Sequence, residues 1–380
     1  MNKRYDVAVL GSGVVAHALA LLLARTNLRV ALLRQPPSPA AGPDIRAYAL
    51  NQAAHDLLSD LRAWPEIPAV TPVRQMWVCE TGDGHPATLN LNLPDPSQPL
   101  AWIVDVPALE QRLQQAVAYQ GTIEPVAHPV QAALTVICEG KHSRTRAEYG
   151  IEYEVQAYAH TAVAARLRCE HPHEGVARQW FQNGDVLALL PMDGPEGKLV
   201  ALVWSVQHAR AAELLALSAP AFADAVGQAC GHALGAMSTE GQPAGWPLQL
   251  SRARHWVRPG VALAGDAAHA MHPLAGQGLN MGLGDVAELG RVLREREYWR
   301  SPGDLRLLRR YERARRADFD RMAALTDGLY SLFGHGDTHI QALRRMGLRA
   351  FDQLNPLKHC AIRLAQGSGS VRPQPTPSPI

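Results

Sequence analysis

The stretch Gly265-Asp266-Ala267-Ala268-His269-Ala270-Met271-His272-Pro273-Leu274-Ala275-Gly276-Gln277-Gly278-Leu279-Asn280-Met281-Gly282-Leu283-Gly284-Asp285 constrains this chain more than any other. It follows the apolar run Val261-Ala262-Leu263-Ala264 and precedes residues with helical spacing. The spacing predicts a strand, a glycine-rich loop and then a helix. Such a loop can hold an anion, because its glycines let the backbone approach a ligand and the first helical amides are unpaired donors at the positive end of the dipole. Asp266, at the strand's end, is placed to accept hydrogen bonds from hydroxyls. The plain alternative is a tight connection inside an α/β domain, since glycine-rich turns punctuate many folds.

The chain has 380 residues, enough for two domains with cores of their own. Hydrophobic residues make up 47% and charged residues only 19%, which excludes a disordered chain. A formal charge of +2 gives no reason to expect nucleic acid. Cys79, Cys138, Cys169, Cys230 and Cys360 are scattered without CxxC spacing and read as reduced thiols. The histidines form no HExxH or Cys-paired arrangement, so no metal site is expected. Lys3 and Arg4 precede an uncharged run from Val7 to Ala24 with the outline of a signal peptide, but Gly11, Ser12, Gly13 and His17 interrupt it. No segment offers about 20 unbroken apolar residues, so no membrane span is expected.

Tyr5 to Leu10 reads as a strand buried on both faces. Gly11, Gly13 and Ala16 then form a GxGxxA turn opening a helical run to Arg25, and Arg29 to Leu33 is a second strand. This is the order of a dinucleotide-binding unit, with glycines for close approach and a small residue for helix packing. The second strand of such a unit normally ends in an acidic residue that binds the ribose. Here Arg34 stands in its place, followed by Gln35-Pro36-Pro37. Either another group holds the ribose, or the dinucleotide is held less tightly.

Gly265 to Asp285 is similar to the second flavin-contacting motif, GD-AAH-x-x-x-P-x-x-G-Q-G-x-N-x-G-x-x-D, of FAD-dependent aromatic hydroxylases of the para-hydroxybenzoate hydroxylase type. Other segments resemble the ubiquinone-biosynthesis (polyprenylphenol) hydroxylases within that group. Arg46-Ala47-Tyr48-Ala49-Leu50 resembles an R-x-x-A-L element, and the resemblance makes Arg46 a fixed cation beside the flavin or its pyrophosphate. Ile103 to Leu113 resembles a V-E-N-R-x-L helix, with Val106 and Pro107 where polar residues are usual. Only eight residues separate Val126 from Thr135, where the family threads a meander of strands. Glu139, Gly140, Ser143 and Arg146 occupy an A-D-G-x-x-S-x-x-R motif, with Glu139 replacing the Asp. His173-Glu174-Gly175-Val176-Ala177, Gly184 to Met192 and Val203-Trp204-Ser205 match strand elements of the same hydroxylases. Leu308, Tyr311, Arg315, Asp318, Thr326, Asp327, Leu329, Leu332 and Phe333 match their C-terminal helical pattern.

The resemblance implies a Rossmann-like α/β (α+β) FAD-binding domain from residues 1–70, 99–150 and 252–330. An inserted antiparallel-sheet substrate domain would take 71–98 and 151–251, with strands and a turn at Gly82-Asp83-Gly84, turns at Asn183-Gly184 and Asp193-Gly194, and a covering helix from Ala211 to Val226. Long helices are expected from Asp285 to Arg296 and from Asp304 to Leu332. Arg313 to Asp318 reads as a solvated, salt-bridged face. Residues 331–366 are expected as a helical region, whose basic amphipathic part from Ala342 to Phe351 lies on a membrane surface or packs on the body. Residues 367–380 are expected as a disordered tail.

The implied activity is FAD-dependent hydroxylation of a polyprenylated phenol in ubiquinone biosynthesis through a flavin C4a-hydroperoxide. NAD(P)H or another donor supplies electrons and molecular oxygen the oxygen atom. Other quinone-pathway proteins are candidate partners, and the expected place is the cytoplasm, peripheral on the inner membrane. FAD would be held by Gly11, Gly13, Ala16, Arg34, Arg46, Glu139, Gly140, Gly265, Asp266, Gly276, Gly278, Leu279 and Asn280. Pro273, Gly276, Gln277 and Gly278 would face the reacting edge of the ring. His269 and His272 read as structural rather than catalytic. The departures at Arg34, Val106-Pro107, Glu139 and residues 127–134 fall on the adenosine side and leave open an accessory or assembly role with weak flavin binding. A flavin oxidase or reductase acting on another apolar substrate is a further alternative.

Overall fold

A computed structural model describes residues 5–33, 44–80, 86–182, 184–271 and 278–334, together with Lys358 and Ile362. The chain opens with β1 (Tyr5–Leu10), α1 (Val14–Ala24) and β2 (Val30–Leu33). Next come β3 (Ala47–Leu50), α2 (Gln52–Asp60), β4 (Val70–Val73), β5 (Gln75–Glu80), β6 (Ala87–Asn92) and β7 (Ala101–Asp105). The chain returns through α3 (Val106–Ala118), β8 (Ile123–Val126), β9 (Ala132–Ile137) and the short α4 (Arg144–Glu148). A long β10 (Tyr153–Cys169) leads to β11 (Val176–Gln182), β12 (Asp185–Met192), β13 (Leu199–Gln207), α5 (His208–Ala216), α6 (Ala219–Ala229) and a second long strand, β14 (Met237–Ala253). The last part holds β15 (Val257–Arg258), β16 (Val261–Leu263), a 3-10 turn (Gly265–Ala267), β17 (His269–Ala270), α7 (Gly278–Arg294) and α8 (Leu305–Gly334).

Three sheets result. The first has the order β15-β16-β9-β1-β2-β8, parallel apart from β15. Its inner strands are apolar on both sides because helices cover both faces, and Val7, Val9, Leu134 and Val136 are fully buried. α1 is buried nearly all round, with Ala16, Ala18, Leu19 and Ala20 sealed, because it packs on the sheet and against α3 and α7. The second sheet, β17-β14-β10-β13-β12-β11-β5-β6, is antiparallel except where β11 runs alongside β5. One of its faces packs on α5 and α6 through Trp180, Leu202, Trp204, Phe222 and Val226. The third, β3-β7-β4, is antiparallel, and its strands are interleaved in sequence with β5 and β6 of the second.

Several elements differ from the sequence reading for local reasons. The expected single helix from Ala211 to Val226 is two, α5 and α6, with Pro220 in the first turn of α6. Proline cannot continue a helix but fits its start. The helix expected from Ile103 is a strand up to Asp105, whose side chain accepts from Ala108 N at 3.0 Å to start α3, with Pro107 in its first turn. β14 escaped notice because Gly241, Pro243, Gly245 and Pro247 read as a loop. It pairs with β10 along its length but with β17 only at Ser251 and Arg252, so most of it is an edge strand, where proline is tolerated. The turn at Asp193-Gly194 is present with both residues at positive φ, at the start of a longer connection from β12 to β13 that closes on the pair Met192 and Leu199. The turn at 82–84, Asn183, the helical region from 335 onward and the 367–380 tail lie outside the described residues, as does Cys360.

The loop between α7 and α8 is locked to the first sheet at Gly303. Its carbonyl accepts from Gly260 N at 2.9 Å, and a Cβ there would lie 2.1 Å from Ala133 O. Backbone cannot yield as a flexible side chain does, so Gly303→Ala is expected to lower stability by about 2 kcal/mol or more. Gly121→Ala, where a Cβ meets open space, should change it by about 0.5 kcal/mol or less. Denaturant midpoints of the two variants check this, and equal midpoints would contradict it.

Candidate functional site

Three strand ends of the first sheet, those of β1, β9 and β16, lie side by side and each runs into a glycine. After β1, Gly11 sits at φ +143, and a Cβ there would be 2.4 Å from Cys138 O, so no other residue lets this turn pass the end of β9. Gly13 is the N-cap residue of α1, makes no side-chain cap, and a Cβ on it would enter open space. The first amides of α1 therefore start beside an empty surface, the arrangement that suits an anion. Ala16 is fully buried and serves helix packing.

Beside this turn is a cavity of ≈ 300 Å³ lined by Gly11, Ser12, His17, Leu32, Leu33, Gln114, Val117, Ala118 and Pro125. It stands at the carboxyl end of β1 and β2, where open parallel sheets take their ligands. Its walls are mostly apolar and suit a flat heterocyclic base. Arg34, the sequence's departure at this point, lies outside the described residues.

After β9, Glu139 turns back on its own loop. Its carboxylate accepts from Ser143 Oγ at 2.7 Å, Thr145 Oγ1 at 2.9 Å and Thr145 N at 3.2 Å, so it serves the start of α4. Ser143 caps the same helix by accepting from Arg146 N at 3.0 Å. The extra methylene of Glu over Asp lets it reach these donors. Gly140, at φ +79, leaves open space where a Cβ would stand. Arg146 is buried, donates to Ala267 O at 3.0 Å and Lys141 O at 2.8 Å, and lies over the Tyr153 ring at 3.5 Å. Tyr153 in turn donates to Asp266 O at 2.8 Å. The loops after β9 and β16 are thereby joined.

The glycine-rich loop is anchored by Asp285, which is fully buried on α7. It accepts from Gly265 N at 2.8 Å, His269 Nε2 lies 2.7 Å away, and Arg315 Nε donates to it at 2.9 Å. Burial alone would push the Asp285 carboxyl up, but His269 and Arg315 outweigh it and hold it below the ordinary carboxylate value. His269 is packed between Trp256 and Phe319, with ring centroids 4.7 and 5.1 Å away, and has the structural place its sequence context implied. Arg315 was read as part of a solvated face; it is instead 6% exposed and also binds Asp318 at 2.6 Å. The signal was the stripe Leu308, Tyr311, Arg315 and Phe319, which puts Arg315 among core positions.

At the turn itself Gly265 has φ +62, and Asp266 is solvent-accessible yet densely surrounded. Burial pushes the Asp266 carboxyl up against the pull of His269 and Lys141. Tyr48 on β3 is raised mainly by burial, with the Asp266 charge adding to it. Arg46 at the same strand is tied to Asp44 at 2.6 Å and Glu110 at 3.3 Å, which fixes its position. Gly278 opens α7 with space where a Cβ would stand, and Leu279 beside it is half-buried. Both ends of the Asn280 amide are engaged: Oδ1 accepts from Asn51 N at 3.0 Å and Nδ2 donates to Ala49 O at 2.8 Å. Asn280 thus ties the start of α7 to β3 and α2. Gly282 and Gly284 let α7 approach Val15 and Arg315, since Cβ atoms there would lie 2.7 and 2.8 Å from them. His272, Pro273, Gly276 and Gln277 lie outside the described residues.

Comparison with known proteins identifies what this geometry is shared with. Residues 103–326 match the model of the FAD binding domain family. Ubiquinone hydroxylase UbiL of Rhodospirillum rubrum is 31% identical over 98% of this chain and 92% of its own length. The 3-demethoxyubiquinol 3-hydroxylase of Escherichia coli is 29% identical over 96% of this chain and 99% of its own. Among solved structures, p-nitrophenol 4-monooxygenase PnpA from Pseudomonas putida superposes with a TM-score of 0.74 at 17% identity, covering 95% of this chain and 97% of that one. That likeness shows the fold. An accessory role without catalysis, left open by the sequence, does not fit full-length relatives named as hydroxylases.

The Asp285 cluster has a measurable signature. Asp285→Asn, which leaves Arg315 buried without its counter-charge, is expected to lower stability by about 3 to 5 kcal/mol at pH 7. Because the folded-state value of Asp285 lies below its unfolded value of about 3.9, the contribution is fully present above that pH and is lost as pH falls through the lower folded value. The gap between the native protein and Asp285→Asn should therefore narrow below about pH 4. Unfolding curves at pH 7 and pH 3 test this, and a gap that does not change would refute it.

Proposed function

Because the chain belongs to the FAD-binding family of ubiquinone-biosynthesis hydroxylases, we propose that it inserts one atom of molecular oxygen into the ring of a polyprenylated phenol, using NAD(P)H as electron donor. FAD is the cofactor, and when bound it supplies the oxygen-activating redox chemistry that no amino-acid side chain offers. One observation carries the fit of this chain to FAD. Gly13, Gly140 and Gly278 stand on three loops of the site, and at each a Cβ would enter open space.

The residues divide the work along the cofactor. Gly11 and Ala16 shape the turn, and the amides following Gly13 hold the pyrophosphate. Leu32, Leu33, Val117 and Pro125 in the ≈ 300 Å³ cavity take the adenine in place of strong ribose recognition. The adenosine end thus departs in sequence while keeping a slot. Gly140 gives the backbone clearance, Gly265 makes the positive-φ turn against Val15, and Asp266 accepts from the ribityl hydroxyls. The amides at Gly278 and Leu279 stabilise negative charge on the ring, and Arg46, its charge matched by Asp44 and Glu110, is a fixed hydrogen-bond donor beside the cofactor. Pro273, Gly276, Gln277 and Gly278 are assigned to the reacting edge by the family motif they match, where they would exclude water from it. Glu139 and Asn280 act indirectly, by holding α4 and α7 in place. The first sheet with α1, α3, α7 and α8 is the FAD-binding portion, and the eight-stranded sheet is the substrate portion.

Among the described residues no helix is long and apolar enough to cross a membrane. A prenylated substrate resides in a bilayer, so the cytoplasmic face of the inner membrane, reached by peripheral contact, is the working place, beside other proteins of the quinone pathway.

Protein purified with FAD in the medium is expected to be yellow and to bind the cofactor at micromolar concentration. With a prenylphenol and NAD(P)H it should form a product one oxygen heavier, labelled from 18O2. A colourless protein that takes up no FAD would end this reading. Gly13→Val should weaken FAD at least tenfold, about 1.4 kcal/mol, by filling the clearance at α1, with little change in the stability of the cofactor-free chain.

A further inference from the structure

The eight-stranded sheet has two faces of different chemistry. One is filled by large apolar side chains against α5 and α6. The register places Ala162, Ala164, Ala188, Val203, Ser205 and Gln179 on the other: Ser205 is opposite Ala162 and Val186, Val203 opposite Ala164 and Ala188, and Gln179 opposite Ala188. Directly opposed residues share a face, so this assignment follows from the pairing alone. At one end the three-stranded sheet covers this face through Ile103, Met192 and Ala201. At the other, Tyr158 and Leu248 close on Ala162. Between them Ala164, Ala188 and Val203 remain partly exposed, leaving a strip floored by small apolar groups.

Sixteen polar or charged side chains are about nine-tenths buried or more. Fourteen of them are engaged, from Thr71, which accepts from Gly194 N, to the Asp285, His269 and Arg315 cluster. Leaving aside the buried indoles of Trp180, Trp204 and Trp256, the two exceptions among the described residues are Gln179, 6% exposed, and Ser205, 5% exposed. Neither is among the side-chain atoms sealed from solvent without a partner, so their polar atoms keep some access to solvent, and the register places both side chains on the face that carries the strip. Folded proteins pair their buried polar groups, and a side chain with no protein partner takes one from outside, an ordered water or a ligand that displaces it. That both exceptions lie on one face of one sheet, flanking the same small-residue floor, identifies the partner's position.

We propose that Gln179 and Ser205 are the polar contacts that hold the oxygen substituents of the substrate's aromatic ring over Ala188 and Val203, which lie between them in the register. The inference rests on the hydroxylase reading and specifies its substrate chemistry. Two strand spacings of about 4.8 Å and an offset of two residues put the two Cα atoms roughly 12 Å apart. An oxygenated ring with one hydrogen bond of about 2.8 Å at each side fills that span. Both groups are neutral, and each can donate or accept, which suits a phenol or ether oxygen. Arg166, farther along β10 on the same face, has its charge matched by Asp105 at 2.7 Å. Burial, with His208 adding to it, lowers the pKa of His160 on that face and so disfavours its cationic form. The site therefore selects a neutral phenol over a benzoate, whose carboxylate would need a free cation.

Titration calorimetry of the FAD-loaded protein, without reductant, tests this with 2-geranylphenol, 3-geranyl-4-hydroxybenzoate and geranylbenzene, which lacks the ring oxygen. The native protein should bind the phenol more tightly than either of the others. Gln179→Met and Ser205→Ala should each weaken the phenol by about tenfold, leave geranylbenzene unchanged and leave the melting temperature and FAD content as they were. Unchanged phenol binding in both variants would overturn the proposal, as would equal losses for phenol and geranylbenzene or a fall of several degrees in melting temperature. A native protein that binds none of the three probes would reject the hydroxylase reading, and this inference with it.

Discussion

The carboxylate of Asp285 is the interaction on which the site depends. It has no exposure to solvent, and a buried charge persists only when it is paired and hydrogen-bonded. Its partners come from three places: the Gly265 amide at the strand-to-loop turn, His269 on β17 and Arg315 on α8. One group thus sets the start of the glycine-rich loop, its far side and the helix packed behind it. Gly284 belongs to the same device, because a side chain there would collide with the Arg315 guanidinium.

Around that anchor the cofactor surface is built from strand ends that are distant in sequence and adjacent in the sheet. The closeness of Gly11 to Cys138, the Arg146 bond to Ala267 and the Tyr153 bond to Asp266 turn three loops into one rigid rim. A preorganised rim of this kind orients a cofactor without reorganisation when it binds. The same β17 that carries His269 also pairs with β14, so the glycine-rich loop leaves from the edge of the eight-stranded sheet. The loop that follows the first sheet's β16 is therefore joined to the eight-stranded sheet through backbone hydrogen bonds, and not by linker alone.

The glycine pattern from Gly265 to Asp285 and the opening GxGxxA showed the α/β class, the flavin and the family, because such motifs are local. A glycine required by close approach must appear as glycine wherever the fold recurs. The strand-turn-helix-strand start and most of the later helices were legible for the same reason, through apolar runs and helical spacing. The division at Pro220 and the strand over Ala101–Asp105 were legible only in part, since each depends on a choice between neighbouring residues that propensity leaves close.

Other features had no local signal. β14 carries Gly and Pro that read as loop, and only its pairing with β10 makes it a strand. Glu139 looked like a weakened cofactor ligand until its reach to Ser143 and Thr145 showed it holding α4. Arg315 looked solvated because charge predicts exposure, while its burial is decided by Asp285, thirty positions earlier in the chain. Gln179 and Ser205 carry no charge or spacing signal of a ligand contact, and what distinguishes them is the lack of a protein partner among the described residues. The sequence by itself determined the class, the cofactor and the family, because those rest on backbone constraints written into consecutive residues. Tertiary structure alone decided which polar groups are spent on the scaffold and which are left for a ligand, because hydrogen-bond satisfaction is a property of residues brought together by folding.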